Sequence, residues 1–400
     1  MPPKELLIVD PLLIDTVGHQ FEYTKSIAVA ARSRGLNVKI AVNRRVTPSV
    51  QQALQATPMF SHSLYNTAIK MANSPSVIKQ LNGLLWIVQF FFEWRRSIFV
   101  KDIRAETLIF LPNCTDVNVF SLIVWLRMRR PVRRPRLICL FRFNPRFTMR
   151  FVGWMMRSLV HQGTVALVTD STLLANEYSR RTGLRYDVFP IPHLPEALSC
   201  HTVSPRDSSR SLQVVFLGMA RLEKGIDILS QAIPYLDQDV RANKLKFVIQ
   251  CGGLGHEPEI FGVVKQLEAL QVQYGPAITL IQRSLETKEY YNLLIESDIV
   301  LIPYRKQAFY AKTSGIFTEA LAAAKPVVVT NGTWMSAQLE HYNSGVTFED
   351  GDPVNLANSI RYICTNFEQE KAKAIENRTR WNVSHGPEIV LDKILSYWDK

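Results

Sequence analysis

Short apolar runs and longer mixed stretches alternate along the whole chain. In the first half, residues 6–9, 38–42, 107–111, 137–141 and 166–169 are rich in Leu, Ile, Val and Phe and too short for helices. They read as strands buried on both faces. The stretches between them suit helices, such as residues 22–35, where Gly35 supplies a C-cap. A further strand is expected over 187–192, DVFPIP. Residues 193–211 are rich in Pro, Ser and His without periodicity, and read as a linker. The alternation then resumes with strands at 213–217, 246–250, 278–282, 299–303, 327–330 and 347–348. Helices are expected at 225–236, 259–271, 288–295, around Glu319, and at 353–364. A last helix over 387–398 follows the break Ser384-His385-Gly386. The fold class is therefore α/β, with two doubly wound domains facing across a cleft. The expected division is 1–192 for the first domain, 193–211 for the linker and 212–385 for the second, with 386–400 completing the first.

Composition adds compartment and charge. At 400 residues the chain exceeds what one core usually sustains, and its 47% apolar content is ample for two. The five cysteines (Cys114, Cys139, Cys200, Cys251, Cys364) are dispersed without zinc spacing, which points to reduced thiols in a cytoplasmic protein. No basic n-region with an apolar h-region opens the chain, so no signal peptide is expected. The longest apolar runs, 84–92 and 119–126, fall well short of the roughly 20 residues that span a bilayer.

The charge is lopsided. Residues 1–200 hold 26 Lys+Arg and 12 Asp+Glu, a net +14, whereas the rest hold 21 and 23, a net −2. No acidic residue falls between Asp116 and Asp170, a stretch containing ten arginines interleaved with Trp125, Phe141, Phe143, Phe147, Phe151 and Trp154. Trp86, Phe90, Phe91, Phe92, Trp94, Arg95 and Arg96 repeat the mixture upstream. Basic and aromatic residues together suit an anionic membrane surface, since each type matches one side of the headgroup boundary. A core helix with a solvated basic face accounts for the same pattern. Arg129, Arg130, Arg133, Arg134 and Arg142 are the candidate contacts to an anionic acceptor or membrane. Nucleic acid is not expected, because the aromatics sit among Leu, Val and Met and no nucleic-acid motif is present.

Two segments carry candidate chemistry. In SDIVLIPYRKQAFYAKTSGIFTEALAAAKPVVVT (297–330), a strand leads through a polar loop to Thr313-Ser314-Gly315, then to a helix bearing Glu319. Thr313 and Ser314 are good N-cap types, and the helix start offers unpaired N–H groups to an anion. An ordinary capped helix in an α/β fold would read the same way. In the other segment the strand QVVFL runs into Gly218-Met219-Ala220-Arg221-Leu222-Glu223-Lys224-Gly225. That order puts two cations at the mouth of a parallel sheet, where ligands bind, with Arg able to fork a diphosphate and Lys acting as a point charge.

Together these segments resemble the donor site of GT-B retaining glycosyltransferases, glycosyltransferase family 4 in particular. That family separates two glutamates by seven residues around the helix start, followed by EA-x-A-x-G-x-PVV. TEALAAAKPVVVT matches the second with Glu319, and the first falls on Ala311, beside Tyr310 and Lys312. The family's G-R-L-x-x-E-K-G run matches at Lys224; Met219 stands where its arginine is usual, and Arg221 lies two positions nearer the lysine.

The resemblance implies two Rossmann-like domains, the C-terminal helix crossing back to the first. It implies that Lys224 and Arg221 neutralise the leaving nucleoside diphosphate and that Glu319 binds the ribose. Thr313, Ser314, Gly315 and Ile316 line the donor, with Gly253 and Arg283 on neighbouring loops and the latter loop against the base. Gly18 and His19 occupy the loop after the first strand, near phosphates and acceptor, with His19 grouped among the catalytic residues. Many members carry a His after a middle strand; here Arg142-Phe143-Asn144 stands there, and Arg142 stays protonated and is no general base. His161, His193 and His201 show no partner pattern.

The implied reaction moves a sugar from a UDP- or GDP-sugar to a glycan or lipid-linked acceptor with retention, in polysaccharide or glycolipid synthesis, at the inner face of the membrane. No cofactor or metal is expected: no DxD-like pair is evident, and Asp350-Gly351-Asp352 reads as a turn. A nucleotide-sugar epimerase, a phosphorylase, or a non-catalytic binder of anionic membranes or glycans are the alternatives.

Overall fold

The computed structural model describes residues 3–16, 19–61, 76–97, 102–145, 148–192, 198, 210–252 and 258–398. The chain divides into two compact units, Met1–Pro192 with Pro387–Lys400, and His193–Gly386.

Unit 1 contains strands β1 (Glu5–Asp10), β2 (Asn37–Asn43), β3 (Thr57–Phe60), β4 (Thr107–Leu111), β5 (Arg136–Phe141), β6 (Val165–Thr169) and β7 (Asp187–Val188). They form one parallel sheet in the order β3-β2-β1-β4-β5-β6-β7. Its helices are α1 (His19–Ser33), α2 (Pro48–Leu54), α3 (Ser76–Arg96), α4 (Asp116–Met128), α5 (Met149–His161) and α6 (Thr172–Thr182). The central strands are continuous apolar runs because helices cover both faces of the sheet. Leu6, Ile8, Leu108, Phe110 and Leu140 are fully buried there.

The strand expected over 187–192 stops at Val188, because Pro190 and Pro192 have no N–H for a ladder. β3 is an edge strand of only four residues, TPMF, with a register shift where β2 meets it. It carries too short a pattern to be found by periodicity.

Unit 2 contains β8 (Leu212–Phe216), β9 (Leu245–Gln250), β10 (Ile278–Ile281), β11 (Ile299–Ile302), β12 (Val327–Thr330) and β13 (Gly345–Phe348). Their order is β10-β9-β8-β11-β12-β13, again all parallel. The helices are α7 (Ile226–Ala232), α8 (Asp237–Arg241), α9 (Pro258–Tyr274), α10 (Thr287–Glu296), α11 (Lys306–Phe309), α12 (Gly315–Ala322), α13 (Trp334–Tyr342), α14 (Pro353–Thr365) and α15 (Phe367–His385). Sequence patterning missed α15, whose polar composition hides a narrow buried stripe. Within it Trp381 is fully buried, stacks on His385, and donates its indole N–H to the Thr318 carbonyl of α12 at 3.0 Å.

The chain then returns to unit 1 as α16 (Pro387–Ser396). Val390, Leu391 and Ile394 join its core. Arg34, just past α1, pairs with Glu388 and Asp392, and Tyr397 hydrogen-bonds Asp187. Among the described residues no helix is long and apolar enough to cross a membrane.

Candidate functional site

The strand order of the second sheet reverses between β8 and β11, and in open parallel sheets ligands bind at the carboxyl ends of the strands at such a reversal. The β8 loop leaves through Gly218, whose φ of +112° few L side chains adopt. A Cβ there would lie 2.7 Å from Lys224 Nζ and 3.2 Å from Ile316 Cδ1. Backbone, ammonium and the start of α12 therefore converge within one side-chain length. Gly225, at φ +71°, lets the loop turn under β11: a Cβ there would meet the Pro303 carbonyl oxygen at 1.9 Å. The Arg305 N–H donates to the Glu223 carbonyl at 2.9 Å and fixes the second loop to the first.

Lys224 is half-buried, with its ammonium 5.6 Å from the centre of the Tyr304 ring. Burial pushes it down from 10.5 to about 8, Arg221 nearby pushes the same way, and Glu223 opposes both. Among the described residues no carboxylate lies within ion-pairing distance of it. Arg221 is committed to Glu223 at 3.2 Å, and Lys312 approaches the same carboxylate at 3.9 Å. Among the described residues Arg221 and Lys312 thus share one carboxylate while Lys224 has none in range.

α12 begins at Gly315 with Ser314 as its N-cap, the hydroxyl accepting from Phe317 N at 3.3 Å. Thr313 lies one residue outside. Tyr304, hydrogen-bonded to Ser314, is held protonated by burial. Ala311 is buried, whereas Tyr310 beside it is exposed.

Glu319 sits on the second turn of α12 and is nine-tenths buried. Two tyrosines of α10 hold it: Tyr290 donates to Oε2, and Tyr291 donates to Oε1 at 3.3 Å. Burial and the adjacent carboxylate keep Tyr290 protonated, so its O–H is there to donate to Glu319. Neither tyrosine was found by sequence reasoning; their position one helical segment before β11 gave no motif to follow.

Gln250, another residue that sequence analysis passed over, ends β9 and joins two loops. Its Oε1 accepts from Gly218 N at 2.6 Å and its Nε2 donates to the Arg283 carbonyl at 3.3 Å. Gly252 has no room for a side chain, since a Cβ there would stand 2.2 Å from Arg283 N. The Arg283 side chain turns outward to Glu289, at 2.7 Å. Asp352 caps α14 and Gly351 takes φ +77°, which makes residues 350–352 a turn.

At the corresponding edge of unit 1, Asp10 and Arg142 both have partners. Asp10, at the end of β1, is fully buried and accepts from Leu12 N, Thr24 Oγ1 and Asn113 Nδ2 at 3.0–3.2 Å. Burial still lifts it to about 6 against those bonds. Arg142 pairs with Asp170 at 3.1 Å and lies 5.0 Å from the Tyr23 ring centre. Arg129 and Arg134 close the end of α4, donating to the carbonyls of Ile103, Arg133 and Leu126, while Arg130 and Arg133 are exposed. His19 opens α1, though its side chain lies outside the described residues, as do Gly18 and Gly253. Among the described residues no group of three or more His, Cys, Asp or Glu side chains is placed to hold a metal.

Residues 211–366 match the family model of the group 1 glycosyl transferases. That match lies within the second unit. A stretch of 149 residues is 29% identical to the D-inositol 3-phosphate glycosyltransferase of Xylanimonas cellulosilytica. That match takes in 37% of this chain and 32% of the relative, so it spans about a third of that protein. The fold is GT-B. A glycosyltransferase from Rickettsia africae superposes with a TM-score of 0.69 at 14% identity, covering 99% of this chain and 98% of that one. HepE from Anabaena, in complex with UDP, does so with a TM-score of 0.65 at 12% identity, covering 99% of each.

Proposed function

We propose that the protein transfers a sugar from a nucleotide sugar to a glycan or lipid-linked acceptor, with unit 2 holding the nucleoside diphosphate. One observation carries the reading: Lys224 is desolvated, lacks a carboxylate partner among the described residues, and stands at the strand-order reversal beside Gly218 and the start of α12. A desolvated cation without a partner is costly, and an arriving diphosphate removes that cost. Ser314, Gly315 and Ile316 offer the diphosphate their helix start, and Glu319, oriented by its two tyrosines, offers carboxylate oxygens to the ribose hydroxyls. HepE binds UDP and UDP-glucose, which makes UDP-sugars the first donors to test.

In this reading the bond between the anomeric carbon and the diphosphate breaks while the acceptor hydroxyl attacks from the same face. The acceptor proton passes to the departing phosphate oxygen, so configuration is retained. Charge developing on the leaving group is met by Lys224, with Arg221 released from Glu223 to join it, and no metal is needed.

The test is a thermal-shift panel of UDP, GDP and their sugars, followed by transfer assays with and without EDTA. Stabilisation by a nucleoside diphosphate, product with the donor's anomeric configuration, and activity in EDTA are the expected results. Ala311 supports a second reading, because a buried methyl stands where the resemblance puts a sugar-contacting glutamate. A protein that binds UDP yet neither hydrolyses nor transfers any sugar would favour that binder.

A further inference from the structure

Helix α5 has two apolar faces, and the core needs only one. Met149, Val152, Met156 and Leu159 are buried inward. On the opposite side Phe151 and Trp154 are 56% and 67% exposed. Their rings stack at 5.8 Å between centroids, and Phe120 of α4 stacks on Phe151 at 6.1 Å. An ordered aromatic row on a helix exterior exposes far more apolar surface than scattered single residues do.

The charged side chains of α5 itself, Arg150 and Arg157, are of one sign. Arg150 and Arg157 are exposed on either side of the pair along α5. Arg127 bridges the two helices, donating to the Met155 carbonyl at 2.7 Å and to Ser158 Oγ at 3.1 Å. The sequence from 117 to 169 supplies ten arginines and no acidic residue, and of the ten Arg142 is paired with Asp170. We propose that this outer face of α5 docks on an anionic phospholipid bilayer, with Phe151 and Trp154 entering the headgroup boundary and Arg150 and Arg157 meeting lipid phosphates. Trp suits that depth because its ring is apolar and its N–H finds a polar partner. Arg keeps its guanidinium at the phosphates while its stem lies along apolar surface. A uniform positive rim selects a polyanionic surface over a neutral one. This inference does not depend on the transfer reaction.

Flotation of the full chain with vesicles tests it, using phosphatidylcholine alone and phosphatidylcholine with added phosphatidylglycerol. The protein is expected to float with the anionic vesicles only, and less so as salt rises. Phe151→Ser with Trp154→Ser should lower the partition coefficient at least tenfold. Arg150→Gln and Arg157→Gln should each lower it about fivefold. All four sites are exposed, so the thermal unfolding midpoint should not move; it serves as the folding control. No flotation of the wild type, equal flotation on neutral vesicles, or variants that float like the wild type would each overturn the proposal. It is equally overturned if the aromatic substitutions abolish self-association in light scattering and leave vesicle binding intact, which would assign the face to a second copy.

Discussion

Both sheets carry charged side chains at the carboxyl ends of their strands, and they treat that charge in opposite ways. In unit 1 Arg142 lies against Asp170, and Asp10 is filled by three donors. In unit 2 Lys224 is desolvated with no carboxylate in ion-pairing range among the described residues, while Arg221 and Lys312 crowd around Glu223. A matched edge spends its polar groups on folding, because a buried charge that keeps its partner costs little more than the pair's desolvation. The other edge holds a cation with no carboxylate in ion-pairing range among the described residues. The same kind of side chain at the same kind of strand end thus serves architecture in one unit and ligand capture in the other.

Substitutions at the two edges should separate these roles. Lys224→Ala removes the cation at the leaving group, and transfer should fall about 100-fold to 1000-fold, the range for loss of one preorganised charge stabiliser. Calorimetric unfolding should show unit 2 as stable as before, since a desolvation cost is relieved. Arg142→Ala should do the reverse, lowering stability by about 3 kcal/mol because Asp170 stays buried without that cation. Chemical denaturation reads that loss; a variant that kept wild-type stability and lost only activity would move Arg142 to the ligand side of the comparison.

The pH dependence has a definite sign. Lys224 is charged below about 8 and loses its proton as pH rises through that value. A bound diphosphate favours the charged form, so affinity for UDP should be flat near neutrality and weaken steadily above about pH 8. Titrations across that interval check it, and the Lys224→Ala variant should lose the inflection. The smallest effect is expected from Tyr290→Phe. It removes one of the two donors that orient Glu319, and should weaken UDP binding about threefold to tenfold, a range set by one hydrogen bond to a charged group. Binding of the 2′-deoxy nucleotide should change less.

How far the sequence could be read follows the same division. The buried strands were legible because each is a continuous apolar run, and the glutamate helix was legible because Ser314, Gly315 and Glu319 lie within six residues of one another. β3 and α15 were not, since a four-residue edge strand and a charged helix with a narrow buried stripe leave too little periodicity. At the site, Lys224 and Glu319 stood out through local motifs. Gln250, Tyr290 and Tyr291 did not, because they reach the site only through tertiary packing of elements tens of residues apart, and Tyr304 carried no motif of its own. Asp170 escaped notice for the same reason: its partner, Arg142, is 28 positions away.

The central claim is that unit 2 holds a nucleoside diphosphate against Lys224. Isothermal titration of UDP into the wild-type chain and into Lys224→Ala, at one neutral pH and one fixed salt concentration, tests it most directly. The account predicts saturable binding to the wild type and at least tenfold weaker binding to the variant, with both proteins folded. Equal affinity in the two proteins would contradict it.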